Sequence, residues 1–125
     1  MTEEDFRRYI AAFNANDFAG FTCFYAENVV FELGGMKRID GRAGIEAFYR
    51  EVKAHIEEVV EPLDVLVTPS RIAMHCRTTF KTFKDWPDFE IWPTKAGDSR
   101  MVETIALYEV AGGQFTHIRA ARFKP

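Results

Sequence analysis

Residues 30–50 read VFELGGMKRIDGRAGIEAFYR. The segment opens as a short strand, with Val29, Phe31 and Leu33 on one face and Val30 and Glu32 on the other. A glycine-rich turn follows. Asp40-Gly41-Arg42 then breaks the chain and starts an amphipathic helix, with Asp40 near its N-terminus. Ile45, Phe48, Tyr49, Val52, Ile56, Val59 and Val60 recur every three or four residues, one buried stripe that carries this helix to about Glu61-Pro62. Glu32 is a carboxylate between apolar strand residues, so it faces either water or a pocket. Tyr49 lies within the apolar stripe, so its hydroxyl needs an interior partner.

Upstream, Thr2 can cap a first helix, with Glu3, Glu4 and Asp5 near its N-terminal dipole. Phe6, Tyr9, Ile10 and Phe13 form its buried face. Asn14-Ala15-Asn16-Asp17 ends it and caps a short second helix carrying Phe18, Phe21, Phe24 and Tyr25. Downstream of Pro62 the period changes to two. Leu63, Val65 and Val67 alternate with neighbours on the opposite face, and Pro69-Ser70 turns the chain. The next strand spans about 72–83, with Ile72, Met74, Cys76, Thr78 and Phe80 inward and His75, Arg77 and Lys81 outward. Residues 84–99, KDWPDFEIWPTKAGDS, form a long apolar loop with both tryptophans, Trp86 and Trp92, of the kind that serves as a lid or contact surface. A strand over 100–110 turns Val102, Thr104, Ala106 and Tyr108 to one side. After the turn at 111–114, a last strand over 115–123 turns Ile118, Ala120 and Arg122 to one face and His117 and Arg119 to the other.

The order is three helices with one strand among them, then antiparallel strands: an α+β design in which helices close a strongly curved sheet. One domain spans 1–125. Twelve phenylalanines in 125 residues imply a large aromatic interior that can wall a cavity. A net charge of −3 argues against a nucleic-acid surface. No apolar run is long enough to span a membrane. Cys23 and Cys76 do not form a paired motif and fit a reducing cytoplasm. The histidines His55, His75 and His117 have no ligand spacing, so neither a metal nor a cofactor is expected.

The segments RYIAAFNANDFAGFTCFYAENVVFELGG and IDGRAGIEAFYRE resemble the start of a ketosteroid isomerase, a family of the NTF2-like, or SnoaL-like, superfamily of α+β cones. The resemblance is clearest over residues 7–53 and 100–123. It implies a mostly antiparallel sheet wrapped around three N-terminal helices and a homodimer formed through the outer sheet face. It also implies a hydrophobic small-molecule substrate. Tyr9 matches the tyrosine that donates to the substrate oxygen, Tyr25 and Tyr49 match supporting tyrosines, and Glu32 falls at the catalytic carboxylate. With Phe13, Phe80, Ala106, Tyr108, Ile118, Arg122, Trp86 and Trp92 as further pocket residues, the implied chemistry is proton abstraction beside a carbonyl. Isomerisation, dehydration or cyclisation of a polycyclic or polyketide-like compound would follow.

This chain departs from the family pattern in three places. Ala106 stands where the family has a protonated acid as second oxyanion donor, a loss that typically costs about 10²–10³ in turnover. The base is Glu rather than Asp. Arg122 replaces a frequent aromatic residue, and its guanidinium would bind an anion or a carbonyl oxygen, or pair with Glu32. Two other functions stay open: an epoxide hydrolase of the same superfamily, which needs a carboxylate–arginine–carboxylate relay, and a non-catalytic ligand-binding or dimerisation module.

Overall fold

Local signals at the N-terminus set the first elements. The Thr2 hydroxyl accepts from the Asp5 N–H and the Asp5 side chain accepts from the Thr2 N–H, a reciprocal cap on helix α1 (Glu3–Asn14). Its stripe of Phe6, Tyr9, Ile10 and Phe13 is buried. Asp17 caps the short α2 (Phe18–Thr22) by accepting from the Gly20 N–H. The computed structural model describes residues 1–124.

Strand β1 (Tyr25–Leu33) begins at Tyr25, which was expected on the second helix, and hairpins into β2 (Lys37–Asp40), which the glycine-rich turn had concealed. Helix α3 (Arg42–Lys53) has Gly41 at its N-cap, with Asp40 one residue before it. Gly41 has φ 88°, a left-handed conformation that suits glycine, and the Asp40 carboxylate pairs with Arg38 instead.

The long helix expected to reach Pro62 stops at Lys53, and residues Ile56–Val67 form β3. Two effects end the helix. The Ala54 and His55 N–H groups close onto carbonyls of the last turn. Lys53 Nζ is tied down by the Phe13 carbonyl at 2.8 Å and Asn16 Oδ1 at 2.7 Å. From Ile56 onward every residue but Leu63, at a bulge, is paired with β4 (Arg71–Thr82). Pro62 is tolerated because β3 is an edge strand, and the bulge follows it directly.

Strands β5 (Ser99–Ala111) and β6 (Gln114–Lys124) complete the sheet. Gly112 and Gly113, both at positive φ, make the two-residue turn between them. The strand order is β2-β1-β6-β5-β4-β3, with β1 and β6 parallel and all other neighbours antiparallel. This curved, unclosed sheet and its helices are the NTF2-like cone. The predicted inward sets of β4, β5 and β6 face the helices: Ile72, Met74, Cys76, Ala106, Tyr108 and Ile118 are all buried. Among the described residues, no helix is long and apolar enough to cross a membrane.

Candidate functional site: an apolar cavity with one carboxylate

Between the concave face of the sheet and helices α1 and α3 lies a cavity of about 200 Å³. Its walls are mostly aromatic and aliphatic, and Phe89, Ile91 and Trp92 of the 84–99 loop close one side. The size falls below the usual range of ligand pockets, about 300–1,000 Å³, which favours a compact guest.

Tyr9, on α1, reaches the cavity, and its hydroxyl lies 2.8 Å from that of Tyr25. Either oxygen can donate. When Tyr25 donates, the Tyr9 O–H is free for an acceptor in the cavity. Burial pushes both hydroxyls well above the ordinary tyrosine range, so both stay protonated at neutral pH. Edge-on contacts with Phe115 at 4.9 Å and Tyr25 at 5.8 Å fix the Tyr9 ring. Tyr49, on α3, also lines the cavity, edge-on to Phe13 at 5.0 Å. Its hydroxyl makes no hydrogen bond with the described residues. No sealed side-chain oxygen or nitrogen lacks a partner, so this hydroxyl opens onto the cavity.

The same reasoning identifies the acidic group. Glu58, on β3, lines the cavity and is its one carboxylate among the described residues. It has no hydrogen bond or ion pair there, and it is not sealed, so it too opens inward. Burial raises its pKa to about 7, opposed in part by the Lys53 ammonium. The Glu58 charge in turn helps to raise Tyr9, Tyr25 and Tyr49, which places the carboxylate among the tyrosines. The sequence reading missed Glu58 because it lay within the supposed helix. The alternation of Ile56, Glu58 and Val60 was the signal that could have found it.

The expectation for Glu32 is corrected. Glu32 does not line the cavity. It lies on the outer face, where its Oε2 is 2.6 Å from His117 Nε2. With Val29 and Phe31 buried inward, strand alternation turns Glu32 away. Tyr25 stands behind Tyr9 and does not line the cavity. Trp86 is also outside it, stacked between Phe89 at 3.9 Å and His55 at 4.4 Å.

Phe13, Phe80, Ala106, Tyr108, Ile118, Trp92 and Arg122 are on the wall. Arg122 does not pair with Glu32. Ala106 is paired with Met74 and Ala120 on its neighbouring strands, so apolar groups with no hydrogen-bond donor surround the position of the second donor. Tyr108, the next inward residue, packs edge-on to Tyr9 at 6.3 Å. Among the described residues, no three His, Cys, Asp or Glu side chains gather as metal ligands.

The SnoaL-like domain model matches residues 6–118. A search of curated protein sequences finds no match. Among solved structures, the chain is similar to a proposed polyketide cyclase from Pseudomonas putida, with a TM-score of 0.84 and 23% identity over 97% of this chain and 91% of that one. A Mycobacterium tuberculosis LEH-like epoxide hydrolase gives 0.77 and 13% over 95% and 80%. A Catenulispora acidiphila protein with a ketosteroid isomerase-like fold, in complex with trimethylamine, gives 0.75 and 14% over 97% and 86%. These likenesses show the fold. The family match covers most of the sequence, and the chain belongs to the SnoaL-like domain family.

Proposed function

We propose that the protein is a small-molecule acid–base enzyme in which Glu58, not Glu32, takes a proton from a carbon next to a carbonyl. The observation that carries this reading is a lone carboxylate, open to an apolar cavity, with a pKa of about 7. A base of that pKa exchanges protons readily at neutral pH. Tyr9, backed by Tyr25, and the free hydroxyl of Tyr49 supply donors for the developing enolate oxygen. Isomerisation, dehydration and cyclisation all begin with this step, and the likeness to a proposed polyketide cyclase supports the same class.

The test is formation of a conjugated enone from β,γ-unsaturated cyclic ketones of one or two rings, followed spectrophotometrically. Turnover by the wild type, a loss of roughly 10²–10⁴ in Glu58→Gln and near-wild-type rates in Glu32→Gln are the expected results. Full activity in Glu58→Gln would remove the proposal.

The epoxide-hydrolase reading has less support. Its relay needs two carboxylates around an arginine, and the cavity has Glu58 alone among the described residues. A purely ligand-binding role would leave Glu58→Gln with altered affinity and no activity to lose.

We also propose that two copies associate through the outer face of the sheet, within a reducing compartment suited to the free thiols of Cys23 and Cys76. Leu66, Met101, Ile105 and Phe123 are exposed on that face. Sedimentation equilibrium of the wild type and Ile105→Asp tests this. The expected result is a dimer that the substitution dissociates.

A further inference from the structure

We infer that Arg100 and Arg122 hold the carboxylate of an amphipathic organic acid whose apolar body fills the cavity. The inference rests on reading the cavity as the substrate site. Both arginines line it, Arg100 from β5 and Arg122 from β6.

The two are set apart from every other arginine in the chain. Seven others pair with a carboxylate, and Arg42 donates to the Tyr25 carbonyl at 3.0 Å. Arg100 and Arg122 have neither kind of partner among the described residues. Burial, and after it the Arg122 charge, lowers the Arg100 pKa, while Arg122 itself is exposed. Two like charges on the wall of one cavity repel each other, and neither forms an ion pair with the described residues. An anion placed between them removes that repulsion and accepts hydrogen bonds from both. The Arg100 guanidinium lies 5.3 Å from the centre of the Trp92 ring, which gives it a flat support and orients its donors. The protein as a whole carries a net charge of −3, so this pair is a local reversal of sign rather than part of a basic surface.

The register fixes where the anion lies relative to the base. Glu58 is opposite Phe80, and Phe80 is opposite Arg100. The base and the cation therefore share one row of the sheet with a strand between them. Two strand spacings are about 10 Å at the backbone. The side chains form no ion pair. A guest that reaches both must carry its carboxylate several bonds from the carbon that loses a proton. The apolar lining between them accepts a ring or a short aliphatic chain. The substrate class is thus an oxo-acid of modest size, with ketone and carboxylate separated by an apolar spacer, rather than a neutral steroid.

Isothermal titration with a matched pair, 4-phenylbutanoate and 4-phenylbutanamide, tests the site. The wild type should bind the acid at least tenfold more tightly than the amide, with the preference reduced by added salt. The double variant Arg100→Gln/Arg122→Gln should bind both equally, with amide affinity unchanged. Arg100→Lys/Arg122→Lys should retain part of the preference, because the charge remains without the fork of donors. Equal binding of acid and amide by the wild type, binding of neither, or a preference that survives the double glutamine variant would each overturn the inference. The same titration on Glu58→Gln, run beside the enone assay, separates the two proposals. If that variant keeps its ketone-isomerising activity but prefers the acid, the base assignment fails and the anion site stands.

Discussion

Glu32 Oε2 and His117 Nε2 meet at 2.6 Å on the convex side of the sheet, where Val30 of β1 lies opposite His117 of β6. His117 Nδ1 also lies 3.4 Å from Glu109, so the imidazole sits between two carboxylates from different strands. All three side chains are about one-third exposed. Water screens such a cluster, and its contribution to stability is at most about 1 kcal/mol. Glu32→Gln should therefore lower the midpoint of urea denaturation only slightly and leave turnover within about twofold. Parallel chemical denaturation and activity assays check both parts. A hundredfold loss of turnover would put the base back on the outer face.

For Glu58 the expected pH dependence has a definite sign. Its pKa is raised from 4.5 to about 7 in the folded protein, so the folded state binds the proton more tightly than the unfolded chain. The resulting stabilisation is complete below about pH 4.5 and is lost as pH rises to 7 and beyond. A shift of this size, at about 1.4 kcal/mol per pKa unit, amounts to about 3 kcal/mol across the window. Lys53 offsets part of the cost of ionisation. Glu58→Gln removes this titration, so its stability relative to wild type should grow between pH 5 and pH 8. Urea denaturation at several pH values measures the difference. In the same range, wild-type kcat/KM should rise with pH as the carboxylate ionises, with an inflection near 7.

The contrast between Glu32 and Glu58 explains what the sequence could and could not say. Alternation in β4, β5 and β6 marked the inward residues because each strand has one buried face and one wet one. The same rule applied to β1 set Glu32 on the face opposite Val29 and Phe31 but left open whether that face was wet or lined a pocket. Only the family spacing argued for a catalytic role. Glu58 stayed hidden for a different reason. Ile56, Val59 and Val60 extend the stripe of Ile45, Tyr49 and Val52 at helical spacing, yet Ile56, Glu58 and Val60 also fit a strand. Periodicity alone does not separate the two, and pairing with β4 decides the matter. The placement of Arg122 opposite Thr104 depended on the register between β5 and β6, including a bulge at Glu103/Thr104 that no residue pattern announces.

Tyr9 and Tyr25 offer a test of the hydroxyl pair. Tyr9→Phe removes one member of a buried 2.8 Å contact and leaves the Tyr25 hydroxyl without its partner. The expected cost is about 1–3 kcal/mol. Tyr25→Phe has the converse effect on Tyr9. The double variant should be less destabilised than the sum of the singles, because the second substitution removes the group that the first left unpaired. A thermodynamic cycle from urea denaturation of the four proteins measures this coupling. Turnover should fall more in Tyr9→Phe than in Tyr25→Phe, since only Tyr9 lines the cavity.

The 84–99 loop has its own anchor, and the anchor is testable apart from the chemistry. Thr94 Oγ1 lies 2.7 Å from Thr82 Oγ1 and donates to the Asp98 carboxylate at 3.0 Å, while the Trp86 and Thr94 backbones form an isolated bridge. These bonds hold the loop so that Phe89 and Trp92 close the cavity. Thr94→Val keeps the shape of the side chain but leaves the buried Thr82 hydroxyl without its partner. The expected loss is about 1–3 kcal/mol. Part of that loss should appear as local opening rather than global unfolding. Limited trypsin digestion reports on it: cleavage after Lys84 or Lys95 should accelerate in the variant well before the rest of the chain is cut. A bound guest in contact with Trp92 should slow that cleavage in both proteins. Unchanged digestion of Thr94→Val would mean that the stack of Trp86 on Phe89 and the 2.5 Å pair between Lys37 and Glu90 hold the loop without the hydroxyls.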